Sequence, residues 1–73
     1  MPHICLKMYK GRDEKTKIKI AEELAAVLEN NGIKRSSISV SVVDIEPEKW
    51  KENVYDKDIK QNKNIIIMPG YEM

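Results

Sequence analysis

Apolar side chains recur at every second position near the start of the chain. The apolar face of this pattern carries Ile4, Leu6 and Met8. The opposite face carries a mixed set of side chains: His3, Cys5, Lys7 and Tyr9. A period of two predicts a β-strand over residues 3–9 that packs under a helix on its apolar face. The mixed face is too apolar to be fully hydrated, so we expect it to meet another subunit.

A helical pattern follows the strand. Asp13 is predicted to cap a helix from about residue 14 to residue 30, with the acidic Glu14 at the positive end of the helix dipole. The apolar residues recur at three- and four-residue spacing and form one stripe: Ile20, Ala21, Leu24, Ala25, Val27 and Leu28. Charged residues are predicted to face outward: Lys15, Lys19, Glu22, Glu23 and Glu29. Asn31-Gly32 ends the helix, because glycine adopts the left-handed conformation at little steric cost.

A second alternating segment covers residues 38–45 and is rich in β-branched side chains. It predicts a second strand, with Ile38, Val40 and Val42 under the helix. A strand, a crossover helix and another strand form a β-α-β unit, so the two strands should be parallel. Two strands alone are too few for a stable sheet, and we expect a neighbouring chain to complete it.

The pattern is weaker toward the C-terminus. Pro47 suits the first position of a helix, so residues 47–50 are predicted to form a short turn or helix. Asp56 is predicted to cap a second short helix that runs to residue 65 or 66, although residues 65–67 fit a short strand equally well. Residues 68–71 have the composition of a turn and a tail.

Length and cysteine content limit how the chain gains stability. With 73 residues the chain is expected to form one domain, residues 1–73, with a thin core that a partner, a metal or crosslinks must support. A single cysteine excludes an intrachain disulfide, and a single histidine provides no zinc-ligand cluster. We therefore expect no metal and an oligomeric α/β protein: a β-α-β unit, a short C-terminal helix and a sheet completed by a second subunit.

Charge and hydropathy exclude several partners. Thirteen basic and twelve acidic residues are spread through the chain, and no basic stripe interleaved with aromatic residues predicts a nucleic-acid surface. No apolar run approaches the roughly 18 residues that span a bilayer, and the N-terminus lacks the layout of a signal peptide. We expect a cytoplasmic protein that binds neither nucleic acid nor membrane.

Pro2 is a candidate catalytic group because of its position. Once Met1 is removed, Pro2 carries the free amino terminus, and its secondary amine can act as a base. A nearby cation and a partly dry pocket would both lower the pKa of this amine toward neutrality. If Met1 is retained, this chemistry is lost.

Arg12 is the candidate cation. An extended strand places Pro2 and Arg12 at opposite ends. Contact between them requires either a turn that folds Arg12 back or an antiparallel neighbour that brings its own Arg12 close. The alternative is that Arg12 is a solvated turn residue.

Other candidates each have a structural alternative. Trp50 has two interpretations. It is buried against the core or against a second subunit, or it forms the apolar wall of a pocket that excludes water from the Pro2 amine. The same two interpretations apply to Tyr55 and Tyr71. His3 is either a second acid or base or a hydrogen-bonding group at an interface. Cys5 lies in mid-strand and is expected to be a buried, inert thiol.

Five segments occur in an order that resembles the tautomerase superfamily, specifically the 4-oxalocrotonate tautomerase-like enzymes of the small PptA-like branch. They are Met1-Pro2-His3-Ile4, Gly11-Arg12-Asp13-Glu14, Ser37-Ile38-Ser39-Val40-Ser41-Val42, Glu46-Pro47-Glu48-Lys49-Trp50 and Pro69-Gly70-Tyr71. The resemblance covers nearly the whole chain. It implies a homodimer or a trimer of dimers, with the dimer favoured, and an isomerase that needs no cofactor.

The resemblance also implies roles for individual residues. Pro2 would be the general base that transfers a proton on the enol of a 2-keto acid. Arg12 matches an arginine that holds and polarises substrate, Trp50 lies near an aromatic pocket residue, and His3 recurs in PptA-like openings. Ser39 stands where many of these enzymes place a second arginine. The resemblance therefore favours a monocarboxylate or aromatic enol, such as phenylenolpyruvate, over a dicarboxylate.

Two other functions remain open on the same scaffold. One is hydration or dehalogenation of an unsaturated acid, with a protonated Pro2 as the acid. The other is a non-catalytic assembly or binding protein that keeps only the fold.

Overall fold

A computed structural model describes all 73 residues of the chain. Its regular elements are strand β1 (His3–Tyr9), helix α1 (Glu14–Asn30), strand β2 (Ser39–Ile45) and a π-helical segment at Lys51–Lys60, named the C-terminal helix below. Short 3-10 turns precede β2 at Arg35–Ser37 and the C-terminal helix at Pro47–Lys49. The predicted short turn after residue 46 is confirmed.

The two strands form a parallel sheet that confirms the predicted β-α-β unit. The register aligns β1 with β2 from His3 opposite Ser39 to Tyr9 opposite Ile45. Helix α1 crosses over between the strands and covers one face of the sheet. The second strand begins one residue later than predicted, because the Ile38 N–H donates to Arg35 O and closes the preceding turn.

Helix α1 begins and ends as predicted. Asp13 Oδ1 accepts a hydrogen bond from the Thr16 N–H at 2.8 Å, which satisfies one free donor of the first turn. At the other end, Gly32 has a left-handed backbone with φ of +87°. Its N–H donates to Glu29 O, and the chain then turns toward β2.

Removing this cap is expected to destabilise the protein measurably. Asp13→Ala should lower the melting temperature by roughly 5 °C, whereas Asp13→Asn keeps an acceptor and should retain most of the stability. The hydrogen bond to Thr16 lowers the pKa of Asp13 from 3.8. The stability that the ionised Asp13 cap contributes is therefore fully present above that value. It is lost as pH falls through the lower pKa of Asp13 in the folded protein. Thermal melts at neutral and acidic pH check this, and Asp13→Asn should show a smaller acid loss than wild type. If wild type and Asp13→Asn lose the same stability at acidic pH, Asp13 is not the titrating cap.

One residue of the predicted apolar stripe lies outside it. Val27 is 56% exposed, whereas Ala25 is buried. Two residues rotate a helix by about 200°, so Val27 points away from the face on which Ala25 packs. Ile18 is also exposed, at 58%, but it lies two turns before Ala25 on the same side of the helix and lines an open cleft with Val40 and Val42 of β2.

The predicted short C-terminal helix is confirmed, but its predicted start at Asp56 and its extension to residue 65 or 66 are wrong. The C-terminal helix starts at Lys51, because Trp50 already has helical backbone angles and joins the preceding turn directly to it. Burial of Val54 and Tyr55 anchors this earlier helix. Asp56 lies in its middle and forms an ion pair with Lys51 at 3.2 Å. Residues 65–67 are neither helix nor strand.

The core is thin for the size of the surface. Only Ala25, Val54 and Tyr55 are buried. The accessible surface is 5791 Å², whereas a compact monomer of 8.5 kDa exposes roughly 4,700 Å². The excess of roughly 1,000 Å² is similar to the surface that one chain buries in a protein–protein interface of standard size.

Candidate active site

Pro2, His3 and Ser39 come together at the N-terminal ends of the two strands. The Ser39 N–H donates to Pro2 O at 3.2 Å, which fixes the backbone that precedes β1. His3 Nδ1 and Ser39 Oγ lie 2.7 Å apart and form a hydrogen bond. Pro2 is half-buried, while the Met1 side chain is fully exposed. The sequence predicted Pro2 and His3 as neighbours, but it did not show that Ser39 holds the histidine ring.

A second group of residues lies at the other end of β1. The rings of Tyr9 and Trp50 meet edge to face, with centroids 5.2 Å apart and an interplanar angle of 78°. The indole N–H of Trp50 donates to Tyr71 Oη at 2.9 Å. These three side chains and Met73 line a cavity of about 290 Å³, named the aromatic pocket below. Trp50 is thus half-buried and lines this pocket, which lies at the opposite end of β1 from Pro2. The interpretation that Trp50 dries the Pro2 amine stays a prediction.

Arg12 belongs to this second end. It lies three residues after Tyr9, beyond a turn in which Gly11 has φ of +138°. The side chain is exposed and takes part in no ion pair. The other arginine, Arg35, binds Glu22 and Glu29. Arg12 is therefore the one guanidinium of the chain that is free to bind an anion.

The two groups do not meet within one chain. The seven residues of β1 span about 20 Å, with Pro2 before the strand and Arg12 beyond its far end. Since the turn keeps Arg12 within three residues of Tyr9, it does not fold the guanidinium back to Pro2. Trp50 is held at the same far end by its contact with Tyr9. Only a second chain can bring Arg12 or Trp50 to the proline.

The face of β1 opposite the helix is partly open. Cys5 lies on this face and is exposed, so the prediction of a buried thiol is wrong for the single chain. Cys5 lies in a groove beside the C-terminal helix, which contacts the strand two residues further on, at Lys7. Lys7 Nζ donates to Asp58 Oδ2 at 2.6 Å, and this hydrogen bond raises the pKa of Lys7. An apolar groove of about 690 Å³ runs between β1 and the C-terminal segment.

No three or more His, Cys, Asp or Glu side chains are grouped so that they could hold a metal ion. All buried side-chain nitrogen and oxygen atoms have hydrogen-bond partners. The helices lack the length and apolar character that a membrane crossing requires.

Similar proteins identify the family. The chain is 42% identical to Tautomerase PptA of Pectobacterium atrosepticum over 97% of each chain. It is 36% identical to a probable tautomerase of Xylella fastidiosa, over 97% of this chain and 89% of the other. Tautomerase PptA of Cronobacter sakazakii is 36% identical over the full length of both chains. No family profile matches the sequence. On the strength of these near full-length similarities, the chain belongs to the tautomerase family of isomerases, in its PptA-like branch.

Proposed function

We propose that this protein is a cofactor-independent keto–enol tautomerase in which the amino-terminal nitrogen of Pro2 is the general base. The observation that carries the proposal is the position of Pro2 at the head of the sheet, half-buried and fixed through its carbonyl by Ser39. The amine becomes available once Met1 is removed, and the fully exposed Met1 is accessible for removal. Family membership supports proton transfer as the reaction.

The reaction requires one base that takes and returns a proton. The neutral Pro2 nitrogen accepts the proton of the enol hydroxyl as the carbonyl forms, and a proton is then delivered to the neighbouring carbon. The substrate is isomerised without net gain or loss of atoms. Negative charge develops on the oxygen during the transfer, and a guanidinium aimed at that oxygen stabilises it. Arg12 has no carboxylate partner in the chain and is the group that we assign to this role.

A complete site on this proposal contains parts of two chains. An antiparallel neighbour would place its Arg12 and aromatic pocket at the proline of the first chain, and the same contact repeated by symmetry would form a second site. The two-stranded sheet, its exposed Cys5 face and the large accessible surface support such a homodimer. A trimer of dimers is the larger assembly compatible with the same site.

The polar groups of the site favour a substrate with one carboxylate. The hydroxyl of Ser39 is occupied by His3, and the guanidinium of Arg35 is bound by two glutamates, so Arg12 is the only arginine left for the substrate. The aromatic pocket supplies an apolar wall. The substrate class is therefore the enol of an aromatic 2-keto acid, such as phenylenolpyruvate.

Rates of ketonisation test this assignment. The purified protein should accelerate ketonisation of phenylenolpyruvate, and kcat/KM should exceed that for an enol dicarboxylate by at least about tenfold, since no second arginine is free to bind the second carboxylate. Activity should fall at acidic pH as the nitrogen becomes protonated. No rate above buffer would overturn the proposal. A rate on unsaturated halo acids that rises toward low pH, with halide release, would favour Pro2 as an acid instead.

A further inference from the structure

Tyr71 is an ordered anchor in a tail that lacks regular structure. No helix or strand follows the C-terminal helix, and Gly70, Tyr71 and Glu72 are all exposed, Tyr71 to 41%. The Tyr71 hydroxyl nevertheless accepts the indole N–H of Trp50 at 2.9 Å. On its other side, the ring contacts the buried Tyr55 with centroids 5.8 Å apart. The side chain of Tyr71 therefore holds the tail against the folded part of the chain.

This contact decides how the indole of Trp50 is oriented. An indole has one hydrogen-bond donor, its N–H group, and that of Trp50 donates to the Tyr71 hydroxyl. The ring of Tyr9 meets Trp50 edge to face. Two contacts from different directions hold the indole plane in one orientation. Without the Tyr71 hydroxyl, the indole N–H would donate to water, and the ring of Trp50 would lose one of its two constraints.

The tail also supplies half of the aromatic pocket. Of the four lining residues, Tyr71 and Met73 come from the tail, while Tyr9 and Trp50 come from the folded part of the chain. All four side chains are apolar or aromatic. The volume of about 290 Å³ lies at the lower end of the range for small-molecule sites, which suits a single ring with a short chain.

We infer that Tyr71 is a specificity-determining residue that positions Trp50 and closes the aromatic pocket around the planar ring of the substrate. This inference rests on the proposed function, because it concerns the substrate of the same site. Planar rings gain from stacking and edge-to-face contacts that alkyl groups do not make. The Tyr71 contact therefore favours aryl 2-keto acids over alkyl ones, and it acts through Trp50 rather than on the reacting atoms.

Three variants separate this role from a purely structural one. Tyr71→Phe removes only the acceptor of the indole hydrogen bond, and Tyr71→Ala also removes the wall of the pocket. Tyr55→Phe is the matched control, because the Tyr55 hydroxyl makes no hydrogen bond to the protein, and only its ring contacts Tyr71. Trp50 is the only tryptophan, so intrinsic fluorescence reports on its environment directly.

The kinetic readout is the preference for phenylenolpyruvate over the enol of a short alkyl 2-keto acid. Tyr71→Ala should reduce this preference by about tenfold, mainly through KM for the aryl substrate, with the alkyl substrate little changed. Tyr71→Phe should reduce it by roughly threefold and shift the emission of Trp50. Tyr55→Phe should change neither. An equal loss on both substrates, or an unchanged preference with unchanged emission, would overturn the inference.

Binding of phenylpyruvate keeps the inference testable without catalysis. This stable keto acid should quench Trp50 emission in wild type and bind more weakly to Tyr71→Phe, which keeps the ring and is expected to fold. If wild type shows no isomerase activity but this pattern holds, the proposed function fails and the inference stands. If phenylpyruvate does not bind, or binds equally to wild type and both Tyr71 variants, the inference fails.

Discussion

Replacing Pro2 with alanine is expected to lower kcat/KM for phenylenolpyruvate by roughly 10²–10⁴-fold, which is the contribution of a well-placed general base. The proline ring holds its nitrogen in a fixed direction at the head of β1, whereas the primary amine of an N-terminal alanine rotates freely. Intact mass must show that Met1 is absent from both proteins. An additional residue that stays in front of Pro2 turns its nitrogen into an amide and should abolish the rate to a similar degree.

A stability measurement serves as the control for this comparison. Pro2 contributes one backbone acceptor, its carbonyl, to Ser39, and alanine retains that acceptor. The melting temperature and the oligomeric state should therefore be nearly unchanged. Equal activity of wild type and Pro2→Ala, with Met1 removed from both, would show that another group is the base.

Replacing Arg12 with alanine should also lower kcat/KM strongly, by about 10²-fold, because the developing oxyanion loses its only free guanidinium. The more informative result is expected from mixing two inactive proteins. If each site combines Pro2 of one chain with Arg12 of another, reassembly of Pro2→Ala with Arg12→Ala chains should restore about a quarter of wild-type activity. Half of the dimers are then mixed, and each mixed dimer holds one complete site.

Arg35→Ala provides the matched control for the mixing experiment. Arg35 is bound to Glu22 and Glu29 and lies outside the proposed site, so its replacement should leave activity close to that of wild type. The same mixing protocol applied to Arg35→Ala and Pro2→Ala chains should give activity in proportion to the fraction of chains that carry Pro2. If Pro2→Ala and Arg12→Ala chains exchange subunits but remain inactive together, the two residues act within the same chain, contrary to the geometry of β1.

The sequence predicted the β-α-β unit because local patterns determine it. Alternation marks both strands, the stripe around Ala25 marks α1, and Asp13 with Gly32 marks the two ends of the helix. The C-terminal helix was misplaced because its start depends on packing. Burial of Val54 and Tyr55 sets that helix in place, and the charged sequence around them has no periodicity that reveals which residues are buried.

The candidate site was predictable residue by residue but not as an arrangement. Position and family resemblance indicated Pro2, His3, Arg12 and Trp50. The hydrogen bond between His3 and Ser39 joins residues 36 positions apart and depends on strand register, which the sequence leaves open. The anchoring of Trp50 by Tyr71 likewise depends on how an irregular tail folds back. Such long-range contacts leave no periodic signal.

The central claim is that a substantial fraction of the Pro2 nitrogen is unprotonated at neutral pH in the assembled protein. Nitrogen NMR of protein labelled at proline, recorded as a function of pH on the oligomer with Met1 removed, measures this directly. We predict a titration midpoint near neutrality that moves upward in Arg12→Ala, because a nearby cation disfavours the protonated amine. A nitrogen that stays fully protonated through neutral pH, as an exposed amine does, would contradict the account.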